Sequence, residues 1–267
     1  MFEDLDWNDQ ESLREVDPVE IRAREHLRAV FNRQPHRVYF SRQLEVQNEG
    51  HYFHWITNRA IRNLEEEGVI LSERRNLTNG GTVKLVWHKA YRYYRREAAS
   101  LVELINEYAD PNIGAALGLQ GEALILDGFA SIEFVMRGRD SQRYQGRVWT
   151  ESDHDLDFLF ERDGRAYGVE VKNTLGYMDR EEFDIKLRLA QILGVRPVFA
   201  ARMLPKSWIN DLIVAGGFAL IFKYQLYPWS HRELAKRVRT ILDLPVDAPR
   251  RLGSGTMERF RKWHEGL

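Results

Sequence analysis

The stretch DLDFLFERDGRAYGVEVK, residues 155–172, decides the fold. Asp157 is followed at once by the apolar residues 158–160. Asp163 and Gly164 then mark a turn, and the apolar residues 166–169 lead into Glu170, Val171 and Lys172. Two such runs joined by Asp-Gly predict a β-hairpin. Side chains alternate across a strand, so Glu170 and Lys172 share one face while Val171 points into the core. Pairing across the hairpin returns Asp157, at the start of the first strand, to the end of the second. Two carboxylates and an ammonium then converge at one sheet edge. Hard oxygen ligands of this kind suit Mg²⁺ or Mn²⁺, and a neighbouring lysine orients or activates a metal-bound water. The chemistry expected is hydrolysis of a phosphodiester.

An isolated Glu-x-Lys on an edge strand is ordinarily a surface pair. Here the aspartate lies 13 residues before the glutamate, across a hairpin of matching length with largely apolar strands. Asp157, Glu170 and Lys172 in this arrangement resemble the PD-(D/E)xK nuclease superfamily. The resemblance covers about residues 112–226. It implies an α/β fold with a mixed central sheet flanked by helices (restriction-endonuclease-like). It also implies Asp157 and Glu170 as ligands of one or two Mg²⁺ (or Mn²⁺), the Val171 carbonyl as a further ligand, and Lys172 as the group that positions the attacking water. Cleavage leaving a 5′-phosphate follows from the same resemblance. The superfamily commonly carries a glutamate on its first helix. Glu122, within GLQGEALILDGFA, is the match, with a helix-surface carboxylate as the competing reading. Leu156 stands where some members have proline. Asp155 is the rival first carboxylate, and Asp157 is preferred because the apolar strand begins directly after it.

Composition bounds the alternatives. The 267 residues allow one large domain or two modest ones, and 43% hydrophobic residues are enough for a core. Cysteine is absent, which excludes disulfides, thiol nucleophiles and Cys-ligated metals. The acidic start MFEDLDWNDQES lacks the pattern of a signal peptide, and no apolar run suggests a membrane span, so the cytoplasm is the expected compartment. Net charge is −1, but it is unevenly spread. Residues 1–20 carry eight acids against Arg14, whereas residues 21–98 carry fifteen Arg or Lys against eight acids. The acidic arm, residues 1–17, either solvates the chain or shields the basic block. Arginine outnumbers lysine 31 to 8, a bias that suits phosphate and guanine contacts but also arises from genome composition.

The basic block has its own order. Pro18 opens a helical pattern with Ile21, Leu27, Val30 and Phe31, and Ser41 to Leu44 begin a short helix. A longer helix over 52–67 has Trp55, Ile56, Ala60, Ile61 and Leu64 in its apolar stripe. Gly68 stops it, residues 69–71 begin a strand, and Asn79-Gly80-Gly81 turns into a returning strand over 83–87. This order, and the segment ITNRAIRNLEEEGVI, resemble a winged helix-turn-helix domain over residues 18–90. The resemblance implies that Thr57, Asn58, Arg59 and Arg62 approach a DNA major groove while Arg74, Arg75 and Lys84 meet phosphates. Against it, such domains also dock proteins, and Glu65, Glu66 and Glu67 repel DNA locally. His51 and His54 are three apart but have no further ligand pattern around them, so they read as packing or solvent-facing residues.

A helical linker over 91–111, broken at Asp110-Pro111, separates this block from the nuclease-like domain, residues 112–267 with basic C-terminal helices. Residues 131–136 read as a first strand and 137–147 as a basic loop with Arg137, Arg139, Arg143 and Arg147. After Lys172 the pattern is helix 180–193, strand 198–201, helix 205–215 and strand 219–222. A basic helix over 231–242 and a short tail at 257–263 complete the chain. Lys186 and Gln191 are lesser candidates to reach the scissile phosphate. The partner expected is DNA, with no membrane and a homodimer left open. Two other classes remain: an inactive nuclease-fold DNA-binding regulator, and a subunit whose winged helix docks a protein.

Overall fold

The computed structural model describes residues 17–267, so the acidic arm up to residue 16 lies outside the described residues. The described chain forms two compact units, one from residues up to 113 with 237–244, the other from 114–236 with 245–267.

In the first unit, α1 (Pro18–Arg33) begins where Asp17 Oδ1 accepts the Val19 N–H at 2.8 Å and Pro18 fills a first-turn position that needs no N–H partner. Then come β1 (Val38–Phe40), α2 (Ser41–Asn48), α3 (His54–Glu66), β2 (Ile70–Asn76) and β3 (Thr82–His88). The strands form an antiparallel sheet in the order β1-β3-β2. Leu27 and Phe31 of α1 and Ala60, Ile61 and Leu64 of α3 bury against Tyr39, Ile70 and Val86. Helices of 16 and 13 residues are marginal alone. Burial at roughly 1.5–3 kcal/mol per Leu, Ile or Phe holds them instead.

Trp55 departs from the expected apolar stripe. It is 47% exposed and stacks on Phe53, with ring centroids 4.4 Å apart. At 3.6 residues per turn it lies roughly 120–180° around the helix from Ala60, Ile61 and Leu64, so the stripe passes it by.

The expected linker is also more than a spacer. α4 (Arg95–Tyr108) buries Ala98, Leu101, Leu104 and Ile105. Glu97 Oε1 accepts the Val38 N–H at 3.0 Å, and Asn106 Oδ1 accepts that of Thr78 at 2.8 Å. Residues 237–244 cluster with this unit as well: Arg237 pairs with Glu107 at 2.6 Å, and Arg37 donates to the Ile241 carbonyl. The expected domain over 112–267 therefore gives up that segment.

The second unit contains α5 (Pro111–Ser131) from residue 114 onward, β4 (Val135–Ser141), β5 (Arg143–Tyr144), β6 (Arg147–Val148), β7 (Leu156–Arg162), β8 (Arg165–Lys172), α6 (Arg180–Leu193), β9 (Arg196–Ala201), α7 (Lys206–Val214), β10 (Phe218–Ile221), β11 (Gln225–Leu226), the first turns of α8 (Arg232–Leu242), β12 (Val246–Asp247) and α9 (Ser254–Glu265). Its main sheet runs β10-β9-β8-β7-β4. β4, β7 and β8 are antiparallel, whereas β8, β9 and β10 are parallel. This is a mixed α/β architecture with helices on both faces. Val198 and Ala200 point to the side where Ile125, Phe129 and Phe260 pack, while Phe199 and Ala201 point to Phe183 and Leu212. Asp163 and Gly164 have φ of +53° and +70°, the left-handed pair that closes a two-residue hairpin.

Three local expectations are corrected here. The first strand of the sheet is β4, and it takes in Arg137 and Arg139, which were expected in a basic loop. The remaining residues fold into the small β5–β6 hairpin. A register shift between Met136 and Gly138 breaks the simple alternation that would have marked the strand. The C-terminal tail is helix α9, which buries Met257, Phe260 and His264. Finally, α5 has a window of mean hydropathy 1.2 and is long and apolar enough to cross a membrane by composition. In this fold Leu124, Ile125 and Phe129 are buried against the sheet.

Candidate active site

The β7–β8 register assembles the site. Phe158 pairs with Val169, and one further step along both strands sets Asp157 opposite Glu170. Beyond the last ladder pair, Asp157 Oδ2 takes over as acceptor for the Val171 N–H at 2.6 Å. A strand residue turns its N–H and C=O to the same side, so the Val171 carbonyl also faces the Asp157 edge. Glu170 is 2% exposed, and Lys172 follows on the same face.

Two lysines meet Glu170. Lys186 of α6, itself buried, brings Nζ to 2.7 Å from Oε2, and Lys172 Nζ lies 3.5 Å from Oε1. Lys172 pairs more closely with Glu182 of α6, at 2.6 Å. Lys186 also donates to the Asp155 carbonyl and lies 3.6 Å from Asp155 Oδ1. Asp155 is therefore tied to Lys186, and Asp157 is the carboxylate that faces Glu170. Asp155, Asp157, Glu170 and Glu182 oppose Lys172 and Lys186, four negative groups against two positive.

The electrostatic strain falls on the carboxylates. Burial, then the charge of Asp157, pushes the Glu170 carboxyl up to about 7, although both lysines oppose the rise. Burial also raises Asp157, with Glu122 adding to it, against the Val171 N–H, Lys186 and Lys172. For Lys172, burial works against the ammonium, but Glu182 and Glu170 outweigh it and its pKa rises. The cation is comfortable and the facing carboxylates are not.

Glu122 lies on α5, where it pairs with Arg139 of β4. Gly121, one residue earlier, is where α5 meets the end of β8. A Cβ there would come within 2.8 Å of Asn173 Cβ and 3.3 Å of Val171 Cγ1. Asn173 was not singled out by sequence, yet it anchors this corner. Its Nδ2 donates to the Leu117 and Leu226 carbonyls, each at 2.7 Å, and its Oδ1 accepts the Leu226 N–H at 2.6 Å. Glu182 was not singled out by sequence either, and Lys186 only as a lesser candidate. Their spacing of four on an amphipathic helix was the available signal, because it places both on the face turned to β8. Gln191 is exposed and takes no part.

Oxygen donors for a hard cation are thus Asp157, Glu170 and, by strand geometry, the Val171 carbonyl. A buried pair of facing carboxylates with raised pKa fits a divalent ion. Among the described residues no group of three or more His, Asp or Glu side chains is arranged to hold a metal. The donor set therefore depends on the backbone carbonyl and on solvent.

The residues expected to contact DNA in the first unit do not all share a surface. Thr57 is fully buried, with its hydroxyl shut inside, which removes it from any groove contact. Lys84 is held by Glu65 at 2.6 Å, Arg75 by Glu73 at 2.9 Å, and Arg59 lies 3.8 Å from Glu20. Asn58 is half-buried, while Arg62 and Arg74 are exposed. The exposed start of α3 instead presents Phe53 and Trp55. His51 is exposed, and burial lowers the pKa of half-buried His54.

No protein-family model, curated protein or solved structure matches this chain.

Proposed function

We propose that the chain is a metal-dependent nuclease that hydrolyses DNA phosphodiester bonds, with its first unit, read as a winged helix-turn-helix, engaging the DNA. The observation that carries this reading is Asp157 facing Glu170, with Lys172 two residues on, at one end of a mixed five-stranded sheet. The order of that sheet and its antiparallel β7–β8 hairpin are compatible with the restriction-endonuclease-like fold of the PD-(D/E)xK superfamily. The helix, strand, helix, helix, hairpin order of the first unit supports the winged-helix resemblance in the same way.

Asp157, Glu170 and the Val171 carbonyl would hold Mg²⁺ or Mn²⁺. When bound, the ion lowers the pKa of a water and neutralises charge developing on the phosphate. Lys172, kept cationic by Glu182, orients the nucleophilic water and stabilises the phosphorane-like charge. The attacking water would give up a proton to solvent as its oxygen bonds to phosphorus; the bond to the 3′-oxygen would break and that oxygen would take a proton from solvent, leaving a 5′-phosphate. Lys186 holds Glu170 in place and offsets its charge until an ion takes over. Glu122, through its charge near Asp157, adds to the negative field that attracts the cation.

One observation favours a second reading, an inactive DNA-binding relative. Lys186 Nζ already lies 2.7 Å from Glu170 Oε2, where a metal ligand bond would form. Incubating the purified protein with Mg²⁺ or Mn²⁺ and single-stranded, duplex, flap and four-way-junction DNA separates the two. Metal-dependent cleavage of any of these supports the nuclease, and binding without cleavage supports the regulator.

A further inference from the structure

The second unit carries a cationic surface that the site does not use. Trp229 is 46% exposed and gathers two arginines on its ring: Arg250 with its guanidinium carbon 4.4 Å from the centroid, and Arg232 at 5.1 Å. Arg250 has no carboxylate partner among the described residues. Arg232 Nε lies 3.5 Å from its exposed neighbour Glu233, and its Nη1 donates to the Trp229 carbonyl at 3.4 Å. Arg251, next along the chain, is exposed as well. A guanidinium laid on an aromatic ring is fixed through its face, at about 0.5–1 kcal/mol in an exposed setting. Face stacking leaves the in-plane N–H edge able to donate, and the fork of such an edge matches two oxygens of a phosphate. The ring therefore pre-orients the fork of Arg250 and sets the charge of Arg232 beside it.

The location adds the second argument. Leu226 is held through its N–H and C=O by Asn173, the residue directly after Lys172. Trp229 follows three residues later, at most about 11 Å along the chain. An open surface of this kind suits a polyanion, whereas a small free anion needs enclosure by several converging groups.

We infer that Arg232 and Arg250, stacked on Trp229, form a backbone-phosphate clamp that grips the DNA strand away from the reacting bond. The inference rests on the nuclease reading for its substrate, and its test is separable from it. Full-length protein is titrated with fluorescent duplex DNA in EDTA over a range of salt, so that binding is read without cleavage. The double variant Arg232→Gln, Arg250→Gln should lower the slope of log affinity against log salt by about 1.8, two phosphates at about 0.9 each, with an unchanged thermal melt. Arg232→Lys with Arg250→Lys should keep the slope and lose affinity, since charge is retained without the stacked fork. A control of equal charge change, Arg188→Gln with Arg261→Gln, should leave the slope near that of the parent. An unchanged slope in the clamp variant, an equal drop in the control, or a parent that binds no DNA would each overturn the clamp. A lowered slope in a protein that never nicks DNA keeps the clamp and removes the nuclease, whereas metal-dependent nicking with an unchanged slope does the reverse.

Discussion

Replacing Glu170 by glutamine distinguishes a carboxylate kept for chemistry from one kept for structure. Glu170 is 2% exposed, and burial, then Asp157, raises its carboxyl from 4.5 to about 7. At about 1.36 kcal/mol per pH unit, the ionised group costs the metal-free fold about 3 kcal/mol. The folded state holds this proton more tightly than the unfolded chain. The cost is therefore absent below pH 4.5, grows from 4.5 to about 7, and is complete above that. Glutamine keeps the volume and resembles the neutral acid. Glu170→Gln should match the parent in acid and exceed it by up to about 3 kcal/mol at alkaline pH, as read by chemical denaturation in EDTA. It should also lose any stabilisation by Mg²⁺. A variant that is less stable than the parent at alkaline pH would refute the argument, because the lysine pairs would then outweigh burial and Glu170 would be a structural ion-pair member.

Three further outcomes follow from the same geometry. Mg²⁺ or Mn²⁺ should raise the thermal midpoint of the parent but not that of Asp157→Asn, since only the folded state assembles the oxygen donors. Asn173→Ala should cost on the order of 3 kcal/mol in urea denaturation, because it strips partners from the Leu117 and Leu226 backbone groups; a loss below 1 kcal/mol, about one net hydrogen bond, would contradict its anchoring role. Arg59→Ala with Arg62→Ala should weaken DNA binding and flatten its salt dependence, whereas Thr57→Ser, changed inside the core, should leave the salt slope alone.

The site was legible where local pattern and chemistry coincide. An Asp-Gly turn fixes hairpin register, and register alone brings Asp157 to Glu170. Lys186 was harder to weigh because it arrives from a helix beyond the hairpin, and no spacing in the strand pair announces it. Asn173 was invisible for a similar reason: its value lies in backbone groups of Leu117 and Leu226, more than fifty residues away in both directions. β4 was hard to read because a register shift at Gly138 and five exposed residues on one strand erase the period-two signal. Spacing reads Trp55 into the apolar stripe of α3, but its helical angle from Ala60, Ile61 and Leu64 places it with Phe53 on the outside. The helices were easier, since Asp17-Pro18 and Gly194 punctuate their ends with known capping geometry.

The central claim is tested most directly by strand cleavage in the parent and in Lys172→Ala, each purified and shown to be folded by its thermal melt. Lys172 pairs with Glu182 at 2.6 Å and also lies 3.5 Å from the buried Glu170, so the thermal melt of the variant is what separates lost chemistry from lost fold. The account predicts Mg²⁺-dependent nicking by the parent, none in EDTA, and loss of nicking in the variant with its fold intact. Metal-dependent nicking that persists undiminished in Lys172→Ala, or full activity of the parent in EDTA, would contradict it.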